Sequence, residues 1–278
     1  MIHEGDNNYV EKSLKITSKN NFIFLVGDSS LAHFDKFENI TYVPIDKYKK
    51  NKDIKNLKNH FVNYSTNDSY FEWFCIQRPF IIKLFLEDYN LKNIFHIDSD
   101  NILLKDITRY KFEKKIATIT PKNESPLSMV SSIHSALIDD NFTNIYRNLY
   151  EDIYLNKSKH YLIEQKINHH KNHGIKGGIC DMTIYYLMNK LNLIDSQNLL
   201  NTSLYENSRE VIFMNNMNTG EGIDSIDQFK KRNKGIKIFN REYVFDKINN
   251  KKISLMNIHF QGKSKKYLNS FSEYKFKF

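Results

Sequence analysis

Only two cysteines, Cys75 and Cys180, occur in 278 residues. That is too few for a disulfide framework or a four-thiolate zinc site. Long apolar runs are missing as well. Phe22–Val26 and Phe80–Leu86 are short, and Lys83 interrupts the second, so neither approaches the roughly 18 residues that a membrane helix needs. Met1 to Lys15 carries no hydrophobic stretch, so no secretory signal is read there and the expected location is the cytoplasm. The four prolines and nine glycines are scattered. No linker rich in Pro, Gly or Ser and no internal repeat marks a boundary, which predicts one domain over 1–278. Arginine is scarce: six of the 41 basic residues, against 34 asparagines and three alanines in the chain, the bias an AT-rich genome would produce. Phosphate and base readout favours the planar guanidinium fork, so no nucleic-acid partner is expected despite a net charge of +9. Such a positive field suits a phosphorylated small molecule, or peripheral contact with the acidic inner face of a membrane.

What is present reads as a folded α/β chain. Apolar residues make up 40% and charged residues 26%, ordinary for a globule. Phe22–Val26, closed by Gly27-Asp28-Ser29-Ser30, has the pattern of a buried strand ending in a turn. A second strand is predicted over Ile40–Ile45, and a helix over 70–90 with Pro79 as a kink or late start. Asn93–Ile97 and Lys115–Thr120 read as further strands. This alternation argues for a mixed, mainly parallel sheet flanked by helices. Residues 141 to 170 have helical spacing and lead into His169-His170-Lys171-Asn172-His173, whose histidine spacing is compatible with metal binding but which no carboxylate or thiol accompanies closely, so that a polar loop is read there. A helix is predicted through Tyr185–Met188, and strands over Gly235–Phe239 and Ile253–Phe260.

Asp98-Ser99-Asp100 closes the apolar strand Asn93–Ile97. Two carboxylates one residue apart, at the edge where α/β sheets bind ligands, offer hard oxygen donors that suit Mg²⁺ or Mn²⁺. Alone, so short a motif also fits a solvated turn. His259-Phe260-Gln261-Gly262 ends the strand begun at Ile253, with Lys263, Lys265 and Lys266 directly behind. A neutral imidazole can add a third ligand to a metal already held by carboxylates, and the lysines can neutralise a diphosphate.

With these residues in place, the chain resembles a known group. Phe95-His96-Ile97-Asp98-Ser99-Asp100-Asn101-Ile102-Leu103 is similar to the strand and D-x-D motif of GT-A-fold glycosyltransferases. His259-x-x-Gly262-x-x-Lys265 resembles the C-terminal signature of the glycogenin-like retaining family, although Lys266-Tyr267 stands where that family has Pro-Trp. Phe71-Glu72-Trp73-Phe74-Cys75-Ile76-Gln77-Arg78, the D-S-D strand, Gly177-Gly178-Ile179-Cys180-Asp181-Met182-Thr183 and His259-Phe260-Gln261-Gly262 together look like a group of uncharacterised bacterial glycosyltransferases. The resemblance implies a GT-A-like (Rossmann-like) domain, with a nucleotide-binding half at 20–120, an acceptor and metal-completing half at 121–268, and a basic aromatic tail at 269–278. It implies a metal-dependent hexosyltransferase that moves a sugar from a nucleotide donor, UDP on family grounds, to an acceptor hydroxyl in glycan or surface polysaccharide synthesis.

The roles implied are specific. Asp98 and Asp100 would hold metal and diphosphate around Ser99, and His259 would complete the metal ligands. Gly262, Lys263 and Lys265 would face phosphate, while Gly27 and Asp28 would lie in the base and ribose region. Arg78 is expected to bind donor, with a surface salt bridge as its other reading. Gly177 and Gly178 would let backbone approach the sugar. Asp181 would be the carboxylate at the reacting sugar: a general base if the enzyme inverts, an orienting group if it retains, as the His259–Lys265 signature favours. It also reads as a helix N-cap. Cys180 is read as packing, and the stripe Phe142, Tyr146, Tyr150, Tyr154 and Tyr161 as core or as an acceptor cleft. Two rivals stand beside this. A nucleotidyltransferase also uses paired carboxylates, but Gly27-Asp28-Ser29-Ser30 is a poor version of its phosphate loop. A non-catalytic sugar-nucleotide or glycan-binding module is the other.

Overall fold

A computed structural model of the chain describes residues 1–121, 125, 127–202, 204–215, 243–246, 251–266 and 268. In chain order it runs β1 (Ile2–His3), α1 (Asn8–Thr17), β2 (Ile23–Gly27), β3 (Ile40–Pro44), α2 (Asp46–Lys49), α3 (Lys52–Asn59) and α4 (Ser69–Asp88). Next come β4 (Asn93–Ile97), β5 (Asn101–Leu103), β6 (Ile116–Ile119), β7 (Ser132–Asp139), α5 (Asp140–Tyr150), α6 (Tyr161–His173) and α7 (Asp181–Lys190). Strands β8 (Ser196–Asn198), β9 (Leu204–Glu206), β10 (Arg209–Ile212), β11 (Tyr243–Asp246), β12 (Lys251–Leu255) and β13 (Asn257–His259) follow. The predicted strand Gly235–Phe239, the tail 269–278 and the side chain of Lys263 lie outside the described residues. No helix among the described residues is long and apolar enough to cross a membrane.

The chain divides into two compact units, one formed by Met1–Pro44, Ile97–Glu113 and the residues from Asn198 on, the other by Ile45–His96 and Lys114–Gln197. In the first unit β5 pairs antiparallel with β13, Asn101 opposite His259, which ties two segments together across more than half the sequence.

In that first unit β1, β2 and β3 form a parallel sheet, Ile2 opposite Val26 and Val26 opposite Val43. Gly27 is required by the close approach of β1. A Cβ there would lie 2.8 Å from the carbonyl oxygen of His3 and 2.6 Å from Cδ1 of Leu31. A second sheet has the order β11-β12-β10-β9. The described strands form several small sheets, some of their pairs parallel and others antiparallel, and not one mainly parallel sheet. Parallel pairs need long crossovers, whereas Asn207 and Ser208, both at positive φ, turn β9 directly back into an antiparallel β10. The predicted strand Ile253–Phe260 also divides. At Met256, whose N–H donates to Ile212 and whose carbonyl accepts from Leu104, the chain leaves β10 and β11 for β5. Ile16, Ile102, Leu104, Met214, Leu255, Ile258, Phe260 and Leu268 form the core beneath.

The second unit holds the sheet β4-β7-β6-β8, with α4, α5 and α7 packed among themselves and α5 and α7 on β7. Helix α4 starts at Asp68, whose carboxylate accepts from the N–H groups of Tyr70 and Phe71. It runs through Pro79, so the late start is not seen. Proline removes the N–H that would meet the Cys75 carbonyl, and that carbonyl accepts from Nε of Arg78 instead, at 3.3 Å. Of the aromatic stripe, Phe142, Tyr146, Tyr150 and Tyr154 are core residues, and the Tyr146 and Tyr150 hydroxyls donate to the Ile76 and Leu57 carbonyls. Tyr161 is exposed.

Candidate metal centre

In the first unit, the turn after β4 carries Asp98, Ser99 and Asp100 into β5. The Asn101 N–H closes it on the Asp98 carbonyl at 3.1 Å. The antiparallel register of β13 on β5 sets His259 beside the turn, and the Phe260 N–H donates to the Asp100 carbonyl at 2.8 Å. Two buried asparagines lock this register. Asn257 Nδ2 donates to Asn101 Oδ1 at 2.9 Å and to the Met214 carbonyl at 3.0 Å, while its own Oδ1 accepts the Met214 N–H. From α1, the Ser13 hydroxyl donates to the Asn101 carbonyl, so the turn is anchored from both sides.

One ligand atom from each of Asp98, Asp100 and His259 falls within 4.8 Å of the others. His259 Nε2 lies 3.4 Å from Asp100 Oδ1, and Lys265 Nζ lies 3.1 Å from Asp100 Oδ2. Asp100 and His259 are buried and Asp98 is half-buried. Burial alone would drive the Asp100 carboxyl upward, but the hydrogen bond and charge of His259, with the charge of Lys265, hold it below its ordinary value. Burial likewise opposes a charged His259. The hydrogen bond and charge of Asp100 outweigh it, so the imidazole binds its proton more tightly than usual. Its Nδ1–H donates to the Asn215 carbonyl at 2.6 Å, which fixes the ring and directs Nε2 at the carboxylates.

Two carboxylates and an imidazole oriented by a backbone carbonyl are a donor set that fits Mn²⁺ or Mg²⁺. A bound ion would take the place of the Nε2 proton. Lys265 spans the site: its Nζ also sits 4.5 Å from the ring centre of Tyr9.

Several neighbours carried no readable signal in the sequence. His3 Nδ1 lies 2.9 Å from the Ser99 hydroxyl, and its ring stands edge-on to Tyr9. The Gly5 N–H donates to Asp28 Oδ2 at 2.7 Å, and Asp28 Oδ1 accepts from the Ser30 N–H. Burial pushes the Asp28 carboxyl up, but these hydrogen bonds win and hold it low. Asp28 thus caps the short helical turn Ser29–Lys36 and ties β1's exit to β2. Gly262 has φ +57 and open space around it, starting the turn that carries Lys265.

The other expected site residues belong to the second unit. Arg78 Nη2 and Asp181 Oδ2 form an ion pair at 2.6 Å, both side chains buried, so the surface salt bridge expected as the alternative for Arg78 is corrected to a buried one. Asp181 is the first residue of α7 and not its cap; the position before it is Cys180. Asp181 Oδ1 accepts the Met182 N–H at 2.9 Å. Burial pushes the Cys180 thiol up to about 12, which suits an inert packing role. Gly178, at φ +149, makes its close approach to protein. A Cβ there would lie 2.1 Å from the Tyr64 carbonyl oxygen, and Gly178 bridges Ser65. Gly177 joins the same ladder through Thr66. Gly178→Ala should lower stability by about 3 kcal/mol through overpacking and strain. Urea unfolding checks this, and an unchanged midpoint would remove the ladder's claim on the glycine.

The histidines read as a polar loop are on α6, whose last turn they form before Gly174 closes it in the left-handed region. The spacing was misread because only Ile163 and Lys166 of this helix are buried, too few to show a period.

No protein-family model matches the chain, and no curated protein matches it.

Proposed function

We propose that the chain is a metal-dependent glycosyltransferase of GT-A type, using a nucleotide-sugar donor and an acceptor hydroxyl. The observation that supports this most is the meeting of Asp98, Asp100 and His259, from segments far apart in sequence, with Lys265 beside them. Asp98, Asp100 and His259 would hold Mn²⁺ or Mg²⁺, and a bound ion would supply charge stabilisation to a leaving diphosphate. Lys265 would release Asp100 Oδ2 and donate to phosphate oxygen. Tyr9 lies half-buried beside His3 and Lys265.

The roles of Arg78 and Asp181 at the donor sugar rest on the resemblance. Both Asp181 oxygens already accept hydrogen bonds, so an orienting role is favoured over that of a general base, and with it retention of configuration. The test is donor hydrolysis by the intact chain, across a panel of UDP-, GDP- and ADP-sugars with Mn²⁺. Release of nucleoside diphosphate that stops in EDTA supports the reading; no turnover of any donor, with no metal-dependent nucleotide binding, overturns it.

Lys265→Met separates the lysine's two contacts. UDP binding in Mn²⁺ should weaken by roughly 1.5–3 kcal/mol, typical of a hydrogen bond to a charged group. Binding of Mn²⁺ alone should not weaken, because a competing cation leaves Asp100. Calorimetry measures both. If UDP binds Lys265→Met as tightly as the native chain, the lysine serves only Asp100.

A further inference from the structure

We propose that His169 and His173, on the last turn of α6, form a second metal site, for an imidazole-preferring divalent ion such as Zn²⁺, Ni²⁺ or Cu²⁺. The proposal does not depend on the glycosyltransferase reading.

Residues four apart on a helix share one face. Two histidines at that spacing can close on one ion, the geometry by which helical H-x-x-x-H pairs hold zinc. The rings of His169 and His173 have centroids 4.5 Å apart and are inclined by 40°. His169 is half-buried and His173 exposed, so water can complete the coordination sphere.

The tautomers support ligation. His173 Nδ1 lies 2.9 Å from the His169 carbonyl oxygen. A carbonyl only accepts, so Nδ1 carries the proton and Nε2 is the ring nitrogen left to bind an ion. A metal-binding histidine is usually oriented in this way, with its second nitrogen donating to a carbonyl or carboxylate. His170 repeats the pattern, Nδ1 at 3.2 Å from the Ile175 carbonyl oxygen, which fastens the segment after Gly174 back onto the helix end.

The donor chemistry separates this pair from Asp98, Asp100 and His259. Imidazoles without carboxylates select Zn²⁺, Ni²⁺ and Cu²⁺, whereas oxygen-rich sets suit Mg²⁺ and Mn²⁺. An ion across 169 and 173 would clip the final turn of α6, whose C-terminal carbonyls otherwise rely on Gly174 and Ile175 N–H groups. Metal binding to the folded state would then raise the unfolding temperature with the logarithm of free metal above its Kd.

The test uses the full chain, stripped with chelator and titrated with Zn²⁺ by calorimetry, beside His169→Ala, His173→Ala and Asp100→Asn. Binding that persists in Asp100→Asn and weakens by at least about tenfold in each alanine variant is expected, the scale of a lost ligand interaction. The Cu²⁺-loaded chain should show coupling to two imidazole nitrogens by electron paramagnetic resonance, lost in His173→Ala. Three results overturn the proposal: no Zn²⁺ binding, binding indifferent to both alanine variants, or binding lost only in Asp100→Asn. Circular dichroism confirms that the exposed variants stay folded.

Discussion

Asp100→Asn is expected to abolish metal-dependent nucleotide binding, with UDP affinity in Mn²⁺ falling at least about 100-fold. The change keeps the shape of the side chain and removes its charge. Two observed interactions depend on that charge, the His259 contact at 3.4 Å and the Lys265 contact at 3.1 Å, and a bound cation would draw on it as well. Loss of a group that only hydrogen-bonds to a metal ligand typically costs roughly 10–100-fold in metal affinity, and Asp100 would be a direct ligand. The amide also leaves His259 and Lys265 facing each other without a counter-charge, and one of them is buried. Calorimetry with UDP, with and without Mn²⁺, measures the effect, and EDTA on the native chain is the matching control. Equal UDP affinity in EDTA, or a silent Asp100→Asn, would remove the proposed centre.

Much of this centre was legible because it lies on strand ends with strong apolar signals. Asn93–Ile97 announces a strand, and Asp98-Ser99-Asp100 stands where its pattern stops. The division of Ile253–Phe260 at Met256 was not legible, since every residue there suits an extended chain; the partner change depends on Asn257 meeting Asn101 and Met214. His3 and Tyr9 were missed for a similar reason. Strand β1 is two residues long, and its place comes from pairing with β2, a tertiary effect that overrides local pattern. Pro79 suggested a kink or a late start because proline removes a helical hydrogen bond. The compensating donor, Nε of Arg78, is a side chain whose direction no periodicity reports. The same contact aims the guanidinium at Asp181.

That aim makes Arg78→Met the most damaging single change expected in the second unit. It leaves the Asp181 carboxylate buried with no cation, and breaking a buried pair from one side costs about 3–5 kcal/mol. The freed Cys75 carbonyl loses a donor as well. Asp181→Asn should cost less, because its amide still accepts from the guanidinium through oxygen. The double variant Arg78→Met/Asp181→Asn should be more stable than the sum of the single effects implies, since neither charge then remains unpaired. Contacting residues give coupling energies of about 0.5–3 kcal/mol in such cycles, and this one should lie near the upper end. Urea unfolding of the four proteins gives the number. Additive losses, each under about 1 kcal/mol, would show that the 2.6 Å contact carries no energetic weight. Donor hydrolysis by Asp181→Asn then separates fold from chemistry: a folded variant that has lost both hydrolysis and transfer places Asp181 in orienting the sugar. Loss of transfer alone makes it the base that takes the acceptor's proton.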